Sequence, residues 1–251
     1  MFAYDDAITE RYPTIGAGVV HASGLINTPS PTELLEAYRV EQQATAERLN
    51  SAALADLPQI AAWRRVFSEF GAKPTRYRNA AEALLRRLLK HGDIPTISVL
   101  IDIGNLVSIR YAMPVACFDR ARISGSITVR FAAGDEPFAD LGSSETVHPD
   151  PGEVVFVDDE GVVSARRWCW RQSAASATGS STTEALIIVE GHHDTTDRDV
   201  RSALADLVSL LASYQPQGRT ESWMLSSTNP APERAEASRT RFGKSSGDRG
   251  G

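Results

Sequence analysis

Two hydrophobic periodicities follow one another along this chain, and their order limits the folds open to it. Between residues 30 and 111 apolar side chains recur at three- and four-residue spacing. Between about 123 and 190 they change to short runs of β-branched and aromatic residues separated by turn formers. The first pattern buries one face of a helix and the second one or both faces of a strand. Helices gathered ahead of strands argue for an α+β fold, with helices packed on a mixed or antiparallel sheet.

The helix boundaries have local signals. Ser30-Pro31-Thr32-Glu33 reads as a cap, a first-turn proline and a capping-box partner, opening a helix to about Leu49. A second helix spans about Leu57 to Phe70 and stops at Gly71. Asn79 caps a third that runs through Lys90 to Gly92, with Ala80, Leu84 and Leu88 on one face and Glu82 paired to Arg86. Residues 100–111 form a mainly apolar helix carrying Asn105 and Ser108, ended by Pro114. Strands are expected at 15–20, Ile127–Phe131, Val154–Val157, Val162–Gln172 and Ala185–Glu190. A last helix begins near 194–197 and buries Val200, Leu204, Leu207, Val208 and Leu211. The glycines at 16 and 18 do not form a phosphate loop. The predicted organisation is an N-terminal extension over 1–59 packed on the core, a main domain over 60–214, and a disordered tail over 215–251. The tail is rich in Ser, Gly, Pro, Arg and Glu, with too little apolar surface to offset ordering entropy.

Charge is distributed unevenly. The 251 residues carry a formal charge of -6, yet residues 63–90 hold eight basic residues against Glu69 and Glu82. A local patch of this kind can bind a polyanion whatever the net charge. Cys117 and Cys169 stand far apart, fit no metal spacing, and read as free thiols of a reducing compartment. With no signal peptide pattern and no apolar run near 20 residues, a cytoplasmic location without membrane contact is expected.

Three segments could carry chemistry. In Arg166-Arg167-Trp168-Cys169-Trp170-Arg171-Gln172-Ser173, strand alternation puts Arg166, Trp168, Trp170 and Gln172 on one face. Two indoles, a guanidinium and an amide on one face can stack a base or an amino-acid side chain and bond its polar edge. The plainer alternative is a half-buried strand with core tryptophans and surface arginines. The basic loop 71–78 places Lys73, Arg76 and Arg78 before a helix start, where free N–H groups and the dipole favour a phosphate; a solvated turn is the alternative. Asn105 with Ser108 could bond a substrate's polar end, or be core residues satisfied by backbone. His192-His193-Asp194 lacks a third convergent metal ligand and reads as structural or surface. No GxSxG, HExxH or Walker loop is present, and the carboxylates are too scattered to pair.

Taken together, these segments resemble the B3/B4 tRNA-editing domain family of the phenylalanyl-tRNA synthetase beta subunit, in its free-standing branch. The matching residues are Asp102-Ile103-Gly104-Asn105, continuing to Pro114-Val115-Ala116-Cys117-Phe118-Asp119. They also include Phe70–Pro74 with Arg76 and Arg78, Leu84–Leu88, Pro151–Val155 and Arg166–Ser173. The likeness covers roughly residues 60–191, about half the chain. It implies binding of the aminoacylated 3′ end of tRNA and hydrolysis of a wrong ester, with no metal, cofactor or DNA. It implies catalytic roles for Asn105 and Gln172. Lys73, Arg76, Arg78, Ser108, Arg166, Trp168, Trp170, Arg171 and Ser173 would bind substrate. The family histidine two residues after the turn proline is replaced by Ala116, and its glycine-rich turn by Trp168–Gln172. The glutamate that reads a tyrosine hydroxyl in the synthetases has no secure counterpart. Three functions follow as alternatives: a trans-acting aminoacyl-tRNA deacylase, a non-catalytic module binding tRNA or an amino acid, and a small-molecule esterase or amidohydrolase.

Overall fold

The computed structural model describes residues 1–49, 54–143 and 145–231. Chain order is β1 (Phe2–Tyr4), α1 (Asp6–Arg11), β2 (Gly16–Ser23), α2 (Thr32–Leu49), α3 (Pro58–Glu69), α4 (Ala80–His91), α5 (Val99–Tyr111) and β3 (Val115–Asp119). Then come β4 (Ile127–Phe131), β5 (Phe138–Ala139), β6 (Thr146–Val147), β7 (Val154–Asp158), β8 (Val163–Arg166), β9 (Arg171–Gln172), β10 (Glu184–Gly191), α6 (Thr196–Tyr214) and β11 (Arg219–Ser226). The fold is α+β. Among the described residues no helix is long and apolar enough to cross a membrane.

Three layers build the molecule. One sheet has the order β1-β4-β7-β8-β9, with β1 parallel to β4 and the other pairs antiparallel. The second, wholly antiparallel, has the order β11-β2-β10-β3. β10 is buried along almost its whole length because it is covered on both sides. Ile187 and Val189 face helices α2, α4, α5 and α6, whereas Leu186 and Ile188 face the first sheet. Such a strand needs a continuous apolar run, and Ala185–Val189 supplies one. Helix α6 lies close on β2 because Gly18 has no side chain: a Cβ there would stand 3.0 Å from Leu204 Cβ and 3.2 Å from Val200 Cγ1. The N-terminal glycines thus serve helix packing.

Helix α4 starts and stops where the sequence signals lie. Asn79 Oδ1 accepts from the Glu82 amide at 2.9 Å, and Gly92 takes φ 79° while its N–H reaches the Leu88 carbonyl. At α2 the expected cap is not formed: Ser30 Oγ instead donates to Asp102 Oδ2 at 2.6 Å, tying the approach to α2 onto α5.

Two expectations are corrected. Residues 162–172 are not one strand but β8, a tight turn at 167–170, and β9. Arg167 and Trp168 turn the chain with φ of 44° and 59°. Residues 1–59, the expected extension packed on the core, supply β2 as an inner strand of the second sheet and β1 as an edge of the first. The segment after 215 is not structureless throughout: 219–226 pairs with β2 along its full length, burying Thr220 and Leu225. Its short apolar run at 223–225 is diluted by the polar composition around it. The rest of the expected tail, 232–251, lies outside the described residues.

Candidate functional site

Trp168 to Gln172 wrap one side of a cavity of about 80 Å³, opposite β3 and over the end of β10. The wall is apolar where Phe118, Phe156, Ala165 and Val115 meet it. Its polar groups are Glu190, Gln172 and Arg171. The turn holds its shape through backbone bonds at both ends. The Trp168 amide donates to Val154 O at 2.7 Å, and the Ala80 amide of α4 donates to Cys169 O at 2.9 Å. The Arg167 amide donates to the Glu153 carboxylate at 2.8 Å.

Glu190 is 2% exposed and terminates the apolar run of β10. Both its donors reach the same oxygen: Tyr4 Oη at 2.5 Å and Trp168 Nε1 at 3.0 Å, each on Oε1. Burial pushes its carboxyl up to about 7, against the opposing pull of those two hydrogen bonds. A carboxyl in this state can hold or release a proton at neutral pH. The sequence does carry a signal for it. A glutamate closing Ile187-Ile188-Val189 has no cheap way into a core unless it is hydrogen-bonded or used. Cys169 also lines the cavity, but burial and the nearby Glu190 raise its thiol well above the ordinary value, so it is not a ready thiolate.

Beside the cavity lies a wider groove of about 290 Å³, bordered by Lys73, Arg76, Tyr77, Arg167, Asp150 and Glu153. Tyr77 and Trp170 pack edge to face at 4.9 Å and form the ridge between groove and cavity. The Arg167 guanidinium lies over both rings, 4.1 Å from Tyr77 and 4.9 Å from Trp170. Arg171 flanks Trp170 at 5.0 Å and pairs with Asp140 at 2.8 Å.

A family model described as the B3/4 domain matches residues 62–214. The chain belongs to the B3/4 domain family. Similar proteins include the phenylalanine–tRNA ligase beta subunits of Nocardia farcinica, 36% identical over 104 residues, and Chromobacterium violaceum, 36% over 77 residues. That of Shewanella oneidensis is 26% identical over 162 residues. These alignments cover 41%, 31% and 62% of this chain but only 12%, 10% and 19% of the ligases. The chain therefore spans a small part of the curated relatives it matches. A solved N-terminal fragment of the phenylalanyl-tRNA synthetase beta subunit from Pyrococcus horikoshii aligns with a TM-score of 0.45 and 15% identity, covering 88% of this chain and 50% of that one.

Within this B3/4 domain the expected site residues divide into two groups. Gln172, Trp168, Trp170 and Arg171 line the cavity, while Lys73 and Arg76 line the adjoining groove. The shared face predicted for Arg166 and Trp168 fails, because the chain leaves the strand at Arg167. Arg166 is buried in a bidentate pair with Glu153, both bonds at 2.9 Å, with Phe138 beneath its guanidinium. Trp168 is fully buried, so it is a fixed wall and offers no exposed stacking face. Ser173 is buried as well, donating to Ala139 O and accepting from the Ala175 amide. On α5, Ser108 Oγ donates to Met113 O at 2.7 Å, and Asn105 stands beside the Tyr38 phenol of α2; neither lines the cavity. Ser108 is a buried residue satisfied within the helix layer, and Asn105 is half-buried on α5 away from the cavity. Arg78 turns away from the groove, reaching Thr75 O and lying 3.9 Å from Glu82. The start of α4 is no open anion site, since the Ala80 and Glu82 amides are bonded to Cys169 O and Asn79 Oδ1.

The histidine pair is accounted for. His192 is buried among Trp63, Trp168 and Tyr12, with ring centroids 4.6, 4.9 and 6.1 Å away. Burial lowers its pKa to about 3, so it is neutral. His193 bonds Asp199 at 2.9 Å. Among the described residues no group of three His, Cys, Asp or Glu is placed to hold a metal ion.

Proposed function

We propose that this B3/4 protein is a trans-acting deacylase that hydrolyses the ester of a mischarged aminoacyl-tRNA. One observation carries the reading. A small cavity with a buried carboxyl adjoins a groove bearing Lys73, Arg76 and Arg167, with the Tyr77–Trp170 ridge between them. That is the layout required by a ligand with an acyl side chain at one end and phosphates at the other. The terminal adenine stacks on the exposed edge of the ridge, as aromatic platforms hold unpaired bases. Lys73 and Arg76 take the adjacent phosphates.

The acyl side chain enters the cavity and meets Glu190. About 80 Å³ is roughly half the ~150 Å³ apolar cavity known to admit benzene, so the substrate side chain is small. Gln172 Nε2 is held by Cys117 O at 2.8 Å. Its Oε1 is the polar edge left to orient a water. Water adds to the ester carbonyl, the carbonyl–ribose C–O bond breaks, and the water's proton passes to the leaving ribose oxygen through the neighbouring ribose hydroxyl. The ester is already activated, so positioning supplies most of the acceleration.

A second reading, binding without turnover, is favoured by Ala116, which brings no imidazole to the cavity wall. A panel of tRNAs charged with small, branched and aromatic amino acids decides between them. Turnover of small hydroxylated or aliphatic esters supports deacylation. Tight binding with no turnover across the panel leaves the binding module, and neither outcome with folded protein rejects both.

A further inference from the structure

Helix α4 carries a second cationic surface that the cavity does not use. Arg78, Arg86, Arg87 and Lys90 border an open groove with Leu54 and Leu89, and among the described residues no carboxylate lines it. Arg86, Arg87 and Lys90 are exposed on one outward face of the helix. The single carboxylate beneath them is Glu82, which is 0% exposed. Its Oε1 accepts from Arg64 and Arg86, each at 2.8 Å, with Arg78 at 3.9 Å. Three guanidinium groups thus converge on one negative charge. Glu82 fixes their positions without neutralising them. Arg87 and Lys90 have no ion-pair partner among the described residues.

This surface connects with the groove beside the cavity. Arg64 also lines a shallow depression with Arg65, Pro74 and one carboxylate, Glu69, and Lys73, beside Pro74 in the chain, lines the cationic groove, so that cations outnumber carboxylates along the way. A path of cations therefore runs from Lys90 along α4, past Arg64, to Lys73 and the Tyr77–Trp170 ridge. Twelve helical residues extend about 18 Å. A ligand end held at the cavity would place its more distant phosphates over α4.

We propose that the outer face of α4 docks the duplex stem of an RNA whose single-stranded 3′ end occupies the cavity. The inference rests on the deacylase reading for its direction and adds the part of the RNA that is held. Guanidinium groups preset by a buried carboxylate suit phosphate oxygens of a fixed spacing, and a regular A-form stem offers that spacing. An acidic protein is a worse fit, because the groove offers it only Leu54 and Leu89 as apolar anchors.

The test uses the full chain with the paired substitutions Arg87→Glu and Lys90→Glu, and with the milder Arg87→Gln and Lys90→Gln. Both positions are exposed and lie outside the cavity and groove beside it. Binding of uncharged tRNA is followed by anisotropy against salt, and hydrolysis is followed on a short aminoacylated 3′ oligonucleotide. The charge reversal should weaken tRNA binding at least tenfold and flatten the log K against log salt slope by about one per lost phosphate contact. The glutamine pair should give a smaller change of the same sign. Hydrolysis of the oligonucleotide should be unchanged. Unaltered tRNA affinity and slope would overturn the proposal, as would equal loss on oligonucleotide and tRNA. Equally tight binding of an unpaired strand of the same length would overturn the duplex assignment. If tRNA binding falls as expected but the oligonucleotide is never hydrolysed, the α4 surface stands and the deacylase reading fails.

Discussion

Replacing Glu190 by glutamine tests whether the cavity carboxyl is as perturbed as its burial requires. The folded group holds its proton up to about 7, against an ordinary value of 4.5. Between these values the folded state binds more protons than the unfolded one, so its contribution is greatest below 4.5 and declines as pH rises. At about 1.36 kcal/mol per unit the full effect is on the order of 3 kcal/mol, most of which develops between pH 5 and pH 8. His192 works in the opposite direction. Its folded pKa is about 3 against 6.5, so its contribution is present above 6.5 and lost as pH falls toward 3. The two slopes oppose each other between about 4.5 and 6.5. Wild-type stability should be nearly flat there as far as this pair is concerned, and Glu190→Gln should expose a rise with pH. Glutamine keeps the shape and an oxygen for Tyr4 and Trp168. Urea denaturation of both proteins at pH 5, 6, 7 and 8 gives the difference directly, because all other titrating groups cancel. The variant should gain about 2–3 kcal/mol relative to wild type between the extremes, roughly 1 M in midpoint for an m near 2–3 kcal/mol/M. A difference independent of pH would refute the argument, whatever its sign.

Four further outcomes are expected. Arg166→Ala leaves Glu153 buried without its bidentate partner and should destabilise by about 3–5 kcal/mol, read by thermal or urea denaturation, with Arg166→Lys recovering only part. Trp170→Ala removes one wall of the cavity and should shift deacylation toward larger acyl groups, raising the ratio of kcat/KM for aromatic over small esters at least tenfold. Asn105→Ala should lower stability by about 1 kcal/mol through its contact beside Tyr38 and leave kcat unchanged, whereas Gln172→Ala should reduce kcat by about 10–100-fold.

How much of this could be read from residue order depends on the range of each signal. Asn79 and Gly92 mark the ends of α4 because capping is decided within a few residues. The apolar run of β10 was legible for the same reason. The 166–173 segment was not. Strand alternation assumes a backbone that stays extended, and two consecutive non-glycine residues in the left-handed region reverse that assumption. Arg167, assigned to the far face, therefore arrives over Tyr77, and Trp168 goes inward. Asn105 was misplaced for another reason. A helix has several faces, and spacing alone does not say which one meets α2 and which meets β3. Gly104 is the residue directed at Val115, and Asn105 turns from it toward Tyr38.

The left-handed pair at 167–168 also ties the cavity wall to several separate elements. Such a conformation costs about 1–2 kcal/mol per non-glycine residue, and it persists only where the surroundings determine it. Four contacts do so here. Glu153 receives the Arg167 amide, Val154 O receives the Trp168 amide, Ala80 of α4 donates to Cys169 O, and Glu190 receives the Trp168 indole. They come from the loop before β7, the start of β7, the first residue of α4 and the end of β10. The element that carries the charged α4 face is thereby bonded to the turn that walls the cavity, through one backbone hydrogen bond of 2.9 Å. A displacement of α4 by bound RNA would be felt first at Cys169, between the two tryptophans. If α4 is the RNA-docking face proposed above, recognition of a stem would be joined at that bond to the shape the cavity offers an acyl group.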